Sequence, residues 1–177
     1  MRSLATLAVV LGCTAALYAQ KTTQLKVGGG GSPHVRTEWT IDGAAISIEY
    51  GRPFLKGRDL KTLTPAGRVW RAGADEATTL KTDKALKFGA LAVPAGTYTL
   101  FAVPGDNQWQ LAINKQTGQW GTAYDESQDL GRVPMTVSTA SKPAEQVTFS
   151  IEDTAAGATL HLDWGTVRAS TDFAVAK

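Results

Sequence analysis

From position 34 onward the chain alternates apolar and polar residues, stretch after stretch. Val35, Thr37, Trp39 and Ile41 fall on one face, with Arg36, Glu38 and Thr40 on the other. Ile46, Ile48 and Tyr50 repeat the pattern across Ser47 and Glu49, and Trp109, Leu111 and Ile113 alternate with Gln108, Gln110 and Asn114. Val147, Phe149 and Ile151 alternate with Thr148, Ser150 and Glu152, and Leu160, Leu162 and Trp164 with His161 and Asp163. A period of two predicts strands with one face in the core and one in water. Turn-forming residues separate them: Asp42-Gly43, Pro94-Ala95-Gly96, Gly105-Asp106-Asn107 and Ala156-Gly157. The stretch PAGTYTLFAVP (94–104) with the following Trp109–Asn114 reads as a hairpin, and only Asp59 to Ala66 reads as a brief helical turn. Together these elements predict an all-β fold, a single antiparallel β-sandwich of jelly-roll or immunoglobulin-like type with long loops.

The first 33 residues follow a different pattern. Arg2, the apolar run Leu4 to Leu11 and the small residues leading to Ala19 have the layout of a secretory signal peptide over 1–19, too short to span a bilayer. The string VLGC (10–13) offers a second reading, a lipoprotein anchored through Cys13. Residues 20–33, with four glycines at 28–31 before Ser32 and Pro33, read as a Gly-rich linker. The β-sandwich domain is then expected over 34–173. Cys13 is the single cysteine, so a processed chain carries no thiol for a disulfide, a nucleophile or a metal. Export without disulfides fits a bacterial periplasm or the extracellular space. No other apolar stretch approaches the roughly 20 residues of a membrane helix.

Composition narrows the classes further. With 177 residues, 19% of them charged and a formal net charge of +2, the chain suits one domain with a real core rather than a disordered tail. It lacks the basic excess of a nucleic-acid binder. The charge is nonetheless uneven: between Arg52 and Arg71 there are six basic residues against one acid, Asp59. That window lies in the irregular segments RPFLKGR (52–58) and RVWRAGADEATT (68–79). A third irregular segment, INKQTGQWG (113–121), continues through Tyr124, Asp125, Glu126 and Asp129 to Arg132.

The order RPFLKGR, VWRAGADEATT, PAGTYTLFAVP, INK with QWG, and a Tyr-Asp segment ending at Arg132 resembles a bacterial family catalogued as domain of unknown function 2911. The resemblance covers roughly His34 to Arg168. It implies an exported bacterial protein and brings no established activity or cofactor. One position departs from the family pattern, which reads Gly-Ala-Asn-Glu-Ala-Thr: Asp75 stands at the Asn and adds a negative charge there.

The side chains in these segments suggest chemistry of their own. Arginine suits carboxylate, phosphate and sulfate, because its planar fork donates parallel hydrogen bonds. Trp and Tyr offer flat faces to sugar rings and cations. Arg52, Lys56, Arg58, Trp70, Arg71, Asp75, Glu76, Asn114, Trp120, Tyr124 and Arg132 are therefore the candidate ligand-binding residues, for an anionic or sugar-like small molecule. The competing reading makes the arginines partners of Asp75, Glu76, Asp125 and Asp129, pinning long loops, with Trp70 and Trp120 as anchors. Catalytic motifs are missing: there is no G-x-S-x-G elbow, P-loop or H-E-x-x-H string. No cofactor is expected, and no metal site, since His34 sits at the linker edge, His161 is mid-strand and the 125–129 acids lack EF-hand spacing. The reading is a non-catalytic binding module. The alternatives are a small hydrolase or lyase on envelope carbohydrate, with Glu76 as acid/base, and a structural envelope protein. Neighbours Asp75 and Glu76 would point to opposite faces of a strand, and to one cleft only in a loop.

Overall fold

The computed structural model describes residues 20–177. The leader expected over 1–19, and with it Cys13, lies outside the described residues. Ten strands and two short helical turns follow in chain order: β1 (Lys21–Val27), β2 (Pro33–Ile41), β3 (Ala44–Gly51), α1 (Leu60–Leu63), β4 (Thr79–Thr82), β5 (Leu86–Phe88), β6 (Leu91–Val93), β7 (Gly96–Val103), β8 (Gln108–Asn114), a 3-10 turn (Glu126–Gln128), β9 (Asp129–Thr154) and β10 (Gly157–Val175). They form one sheet in the order β1-β2-β3-β4-β7-β8-β9-β10-β5-β6. Every neighbouring pair is antiparallel, so the chain is all-β as its period of two predicts.

The sheet folds over on itself because β9 and β10 are long and bent. β9 pairs with β8 through its first part and with β10 through most of its length. β10 turns at Gly165, whose φ of +59° places it in the left-handed region. Its first half pairs with Thr148–Thr154 and its second with Thr136–Thr139. The chain beyond β3 closes the other side: the Leu55 amide donates to Glu145 O at 2.7 Å and the Val147 amide to Pro53 O at 3.3 Å. Tyr50 lies edge-on to Phe149 with centroids 5.0 Å apart and accepts a hydrogen bond from the Phe149 amide at 3.1 Å. The core lies between the folded layers, and the expected faces supply it: Val35, Trp39 and Ile41, Ile46, Ile48 and Tyr50, Leu111 and Ile113, Val147 and Phe149 are all buried. Burial of this apolar surface is the main force holding the layers together, at roughly 25 cal/mol per Å² removed from water.

Three local readings are corrected. Residues 20–33, expected as a linker, contribute the edge strand β1, paired with β2 from Lys21↔Glu38 to Val27↔Pro33. All seven β1 residues are exposed, so the strand has no burial pattern to betray it. The glycine run does form a turn, with the Gly31 amide bonded to Gly28 O at 2.9 Å. His161 and Asp163, expected on a solvent face, are buried, because the bend in β10 brings its two halves face to face. His161 Nδ1 lies 2.7 Å from Ser170 Oγ, and Arg168 forks onto Asp163 at 2.8 and 2.7 Å. Asn114, also expected outward, is fully buried under the loop that follows it.

The brief helical turn expected near 59–66 is α1. Asp59 caps it by accepting from the Lys61 amide at 3.1 Å, and Pro65 cannot extend it. Leu60 and Leu63 lean on the core, which sets the preceding Arg58 at the edge of a cleft.

Candidate functional site

The loop Trp70–Thr78 forms the centre of the site and is stitched down at both ends. Trp70 exchanges two backbone hydrogen bonds with Ala102 of β7, at 2.7 and 2.8 Å. Its indole stacks on Trp164 with centroids 5.4 Å apart and stands edge-on to Trp109. Thr78 Oγ1 donates to the carbonyls of Arg71 and Ala72. Across from it, the Gly121 amide donates to Asp75 O at 2.9 Å and the Ala77 amide to Gln119 O at 3.2 Å. A Cβ on Gly121 would sit 2.7 Å from both Arg71 Cδ and Asp75 O, so only glycine lets the two loops approach this closely. Four non-glycine residues have positive φ among the described residues: Asp42 in a hairpin turn, and Lys56, Ala72 and Asp75 around this loop. Strained backbone of this kind persists only where the surroundings impose it, and it concentrates at functional sites.

Two adjoining concavities open beside the loop and share Pro53, Arg58 and Arg71. The inner one, of about 360 Å³, is walled by Trp70, Phe101, Tyr124, Trp164, Leu63 and Val69. The outer one, of about 400 Å³, is bounded by Lys56, Asp75, Ser32 and the glycine turn at Gly30. Arg71 donates from Nε to Gly73 O at 3.2 Å, and Arg58 donates to the carbonyls of Leu55 and Phe54. Neither guanidinium has a carboxylate partner among the described residues. Among the described residues the other arginine forks are occupied or, at Arg68, exposed outside both concavities. Arg36 pairs with Glu49 and Arg168 with Asp163. Arg52 is spent on Val147 O at 2.9 Å and Thr148 Oγ1 at 2.8 Å, outside the cleft.

Behind the outer concavity lies a cluster centred on His34, a residue expected at the linker edge with no role. His34 is buried on the face of β2 opposite Val35, where the Trp70–Thr78 loop covers it. Its Nε2 meets Asp75 Oδ2 at 2.9 Å and its Nδ1 lies 3.4 Å from Glu76 Oε2. Asp75 and Glu76 thus embrace one imidazole, because the positive φ of Asp75 breaks the strand geometry that would have parted them. Glu76 also holds Lys26 of β1, at 2.5 Å. The Lys26 hydrogen bond, its own backbone amide and the Lys26 charge hold the Glu76 carboxyl below the ordinary carboxylate range. Glu76 does not line either concavity. Gly28 and Gly51 make room for the cluster, since a Cβ on either would come within 2.9 Å of His34 Nε2. Nothing local in the sequence flags His34, which meets its partners across 41 residues of chain.

The remaining candidates lie on the far side of the Trp120–Asp129 loop. Arg132 donates to Asp129 Oδ2 at 3.0 Å, to Glu126 at 2.6 Å and to the Tyr124 hydroxyl at 2.6 Å. Tyr124 in turn donates to Asp129 Oδ2 at 2.6 Å, and its pKa is pushed up to about 12 by burial and by that acceptor. Asn114 donates to Asp125 O and Asp129 Oδ1, both at 2.9 Å. Arg132 and Asn114 are therefore loop pins, as the competing reading held, while the Tyr124 ring reaches the inner concavity. Trp120 is half exposed, and its backbone bridges Glu76. The loop carboxylates at 125, 126 and 129 are taken up by protein donors. Among the described residues no group of three or more His, Cys, Asp and Glu is placed to share a metal ion, and no helix is long and apolar enough to cross a membrane.

Fold and site together define an all-β domain with two adjoining concavities that share Arg58 and Arg71, one walled by aromatic residues and the other bordered by Lys56 and Asp75. The model of a protein family of unknown function, DUF2911, matches residues 32–173, and the chain belongs to that family. No curated protein and no solved structure matches the chain.

Proposed function

We propose that the domain is a non-catalytic binding module for a small anionic ligand held at Arg58 and Arg71. The observation that carries this reading is the contrast among the arginines. Arg36, Arg132 and Arg168 each have a carboxylate, whereas Arg58 and Arg71 share a cleft and have none. Both are held in place by backbone carbonyls, so little side-chain freedom remains to be lost on binding. On the leader reading of residues 1–19 the module works outside the cytoplasm.

The hydrolase alternative finds less support. Its general acid, Glu76, lies outside the cleft and is held ionised by Lys26, the reverse of the raised pKa that proton donation at neutral pH requires. The test is calorimetric titration of the protein with inorganic phosphate, sulfate and acetate, repeated on Arg71→Met and Arg58→Met. Saturable anion binding that each substitution weakens at least tenfold is expected. Binding unchanged in both variants, or turnover of a glycoside that Glu76→Gln abolishes, would remove the reading.

A further inference from the structure

We propose that the cleft is selective for a ring-bearing phosphate monoester, with its dianionic group in the outer concavity and its ring in the inner one. This inference rests on the anion-binding reading and goes on to name the ligand class.

The outer concavity brings Lys56, Arg58 and Arg71 against one carboxylate, Asp75, whose Oδ2 is engaged by His34. Three cations facing one committed acid leave an excess that two negative charges balance better than one. The donors are also spread in direction. Arg71 keeps its terminal nitrogens free after bonding Gly73 O through Nε, and Arg58 keeps one after bonding Phe54 and Leu55. The glycine turn adds to them. The Gly28 and Gly31 amides are used inside it, whereas those of Gly29 and Gly30 have no acceptor among the described residues, and Gly30 borders the concavity. A tetrahedral group with three terminal oxygens spreads its acceptors out of any one plane, so it can meet an arginine fork, an ammonium and a backbone amide arriving from different sides, whereas the acceptor sites of a carboxylate lie in a single plane.

The inner concavity has the opposite character. Four aromatic residues and two aliphatic ones wall it, and it opens to the outer one through the same two arginines. At about 360 Å³ it lies within the range of small-molecule pockets. A ring entering it removes apolar surface from water while its phosphate stays at the mouth. Trp70 and Trp164 line this space, so their fluorescence reports on its occupancy.

The experiment titrates the protein at about pH 8, where phosphate carries nearly two charges, with phenyl phosphate, inorganic phosphate, benzoate and p-cresol, following tryptophan fluorescence and heat. The expected result is a Kd for phenyl phosphate at least tenfold below those of the other three. Val69→Gln, a neutral polar change at an exposed position on the inner wall, is expected to weaken phenyl phosphate at least threefold and leave inorganic phosphate within twofold. Equal affinity for phenyl phosphate and inorganic phosphate would overturn the ring subsite and leave the anion reading standing. Benzoate binding as tightly as phenyl phosphate would overturn the phosphate assignment alone. Failure of every anion to bind would overturn this inference and the anion reading together.

Discussion

The loop that runs from Trp120 to Asp129 has an arginine on each side, and the two are treated in opposite ways. On one side Arg132 is enclosed by Asp129, Glu126 and the Tyr124 hydroxyl, a network that leaves its guanidinium little to offer a ligand. On the other side Arg71 packs against Gly121 and meets only a carbonyl oxygen. Tyr124 belongs to both regions: its hydroxyl is pinned by the Arg132 network while its ring lines the cleft. The difference teaches that a cluster of arginines and acids in sequence can divide into a structural half and an open half. The paired half holds the loop so that the unpaired half keeps its shape. Such preorganisation is what allows a charged site to bind without losing its gain to ordering.

The comparison breaks most sharply at Asp129. Its replacement by Ala leaves Arg132, the Tyr124 hydroxyl and the buried Asn114 amide each short of an acceptor. A loss of about 3 kcal/mol is expected in urea unfolding. Anion binding should weaken as well, because the Tyr124 ring loses its anchor. If Asp129→Ala unfolds at the wild-type urea midpoint, the network is not structural.

Gly121→Ala tests the contact between the two halves. Its Cβ meets Arg71 Cδ and the Asp75 carbonyl at 2.7 Å, and one of these must move. A cost of about 1–3 kcal/mol is expected, with anion affinity falling more than tenfold as Arg71 is displaced. Retained affinity would show that the Asp75 carbonyl gives way and Arg71 keeps its place.

Arg71→Met should reverse the balance seen at Asp129: stability within about 0.5 kcal/mol of wild type, as for substitutions that break no buried pair, with anion binding lost. A melting temperature that drops as far as that of Asp129→Ala would make Arg71 a pin like Arg132.

The pH dependence supplies the smallest effects. Tyr124 titrates near 10 in the unfolded chain and at about 12 in the folded one, so the folded state holds the proton longer. Stability is then unaffected below pH 10 and falls as pH rises from about 10 to 12, and Tyr124→Phe should flatten that limb. Glu76 has the opposite sign. Its folded pKa lies below its ordinary value, so its contribution is present near neutral pH and disappears as pH falls through the acid range. The group is half exposed and screened, so Lys26→Met should remove only a few tenths of a kcal/mol of this acid dependence. Identical acid limbs in wild type and Lys26→Met would show that the pair is not formed in solution.

The sequence by itself determined most strand faces of β2, β3 and β8, two of the hairpins and the family. Alternation is a local property: whether Ile46 and Ile48 share a face follows from the pleat alone. The hairpins at Asp42-Gly43 and at Pro104–Asn107 follow from turn chemistry within a few residues. The Arg58, Trp70 and Arg71 candidates were likewise legible, as an excess of cations and aromatics in irregular segments. What only the tertiary structure decided was partnership. Whether an arginine meets an acid depends on contacts such as Arg132 with Asp129 but not Arg71 with Asp75. Those are set by loop stitching and by positive φ at Ala72 and Asp75, which no periodicity encodes. His34 escaped for the same reason, since its two carboxylates come from a loop 41 and 42 residues away. The β1 strand escaped because a fully exposed edge leaves no hydrophobic pattern to read, and His161 and Asp163 because the bend at Gly165 turned a solvent face inward. Local chemistry writes the elements into the chain, whereas charge pairing between loops distant in sequence exists only once the sheet has folded over.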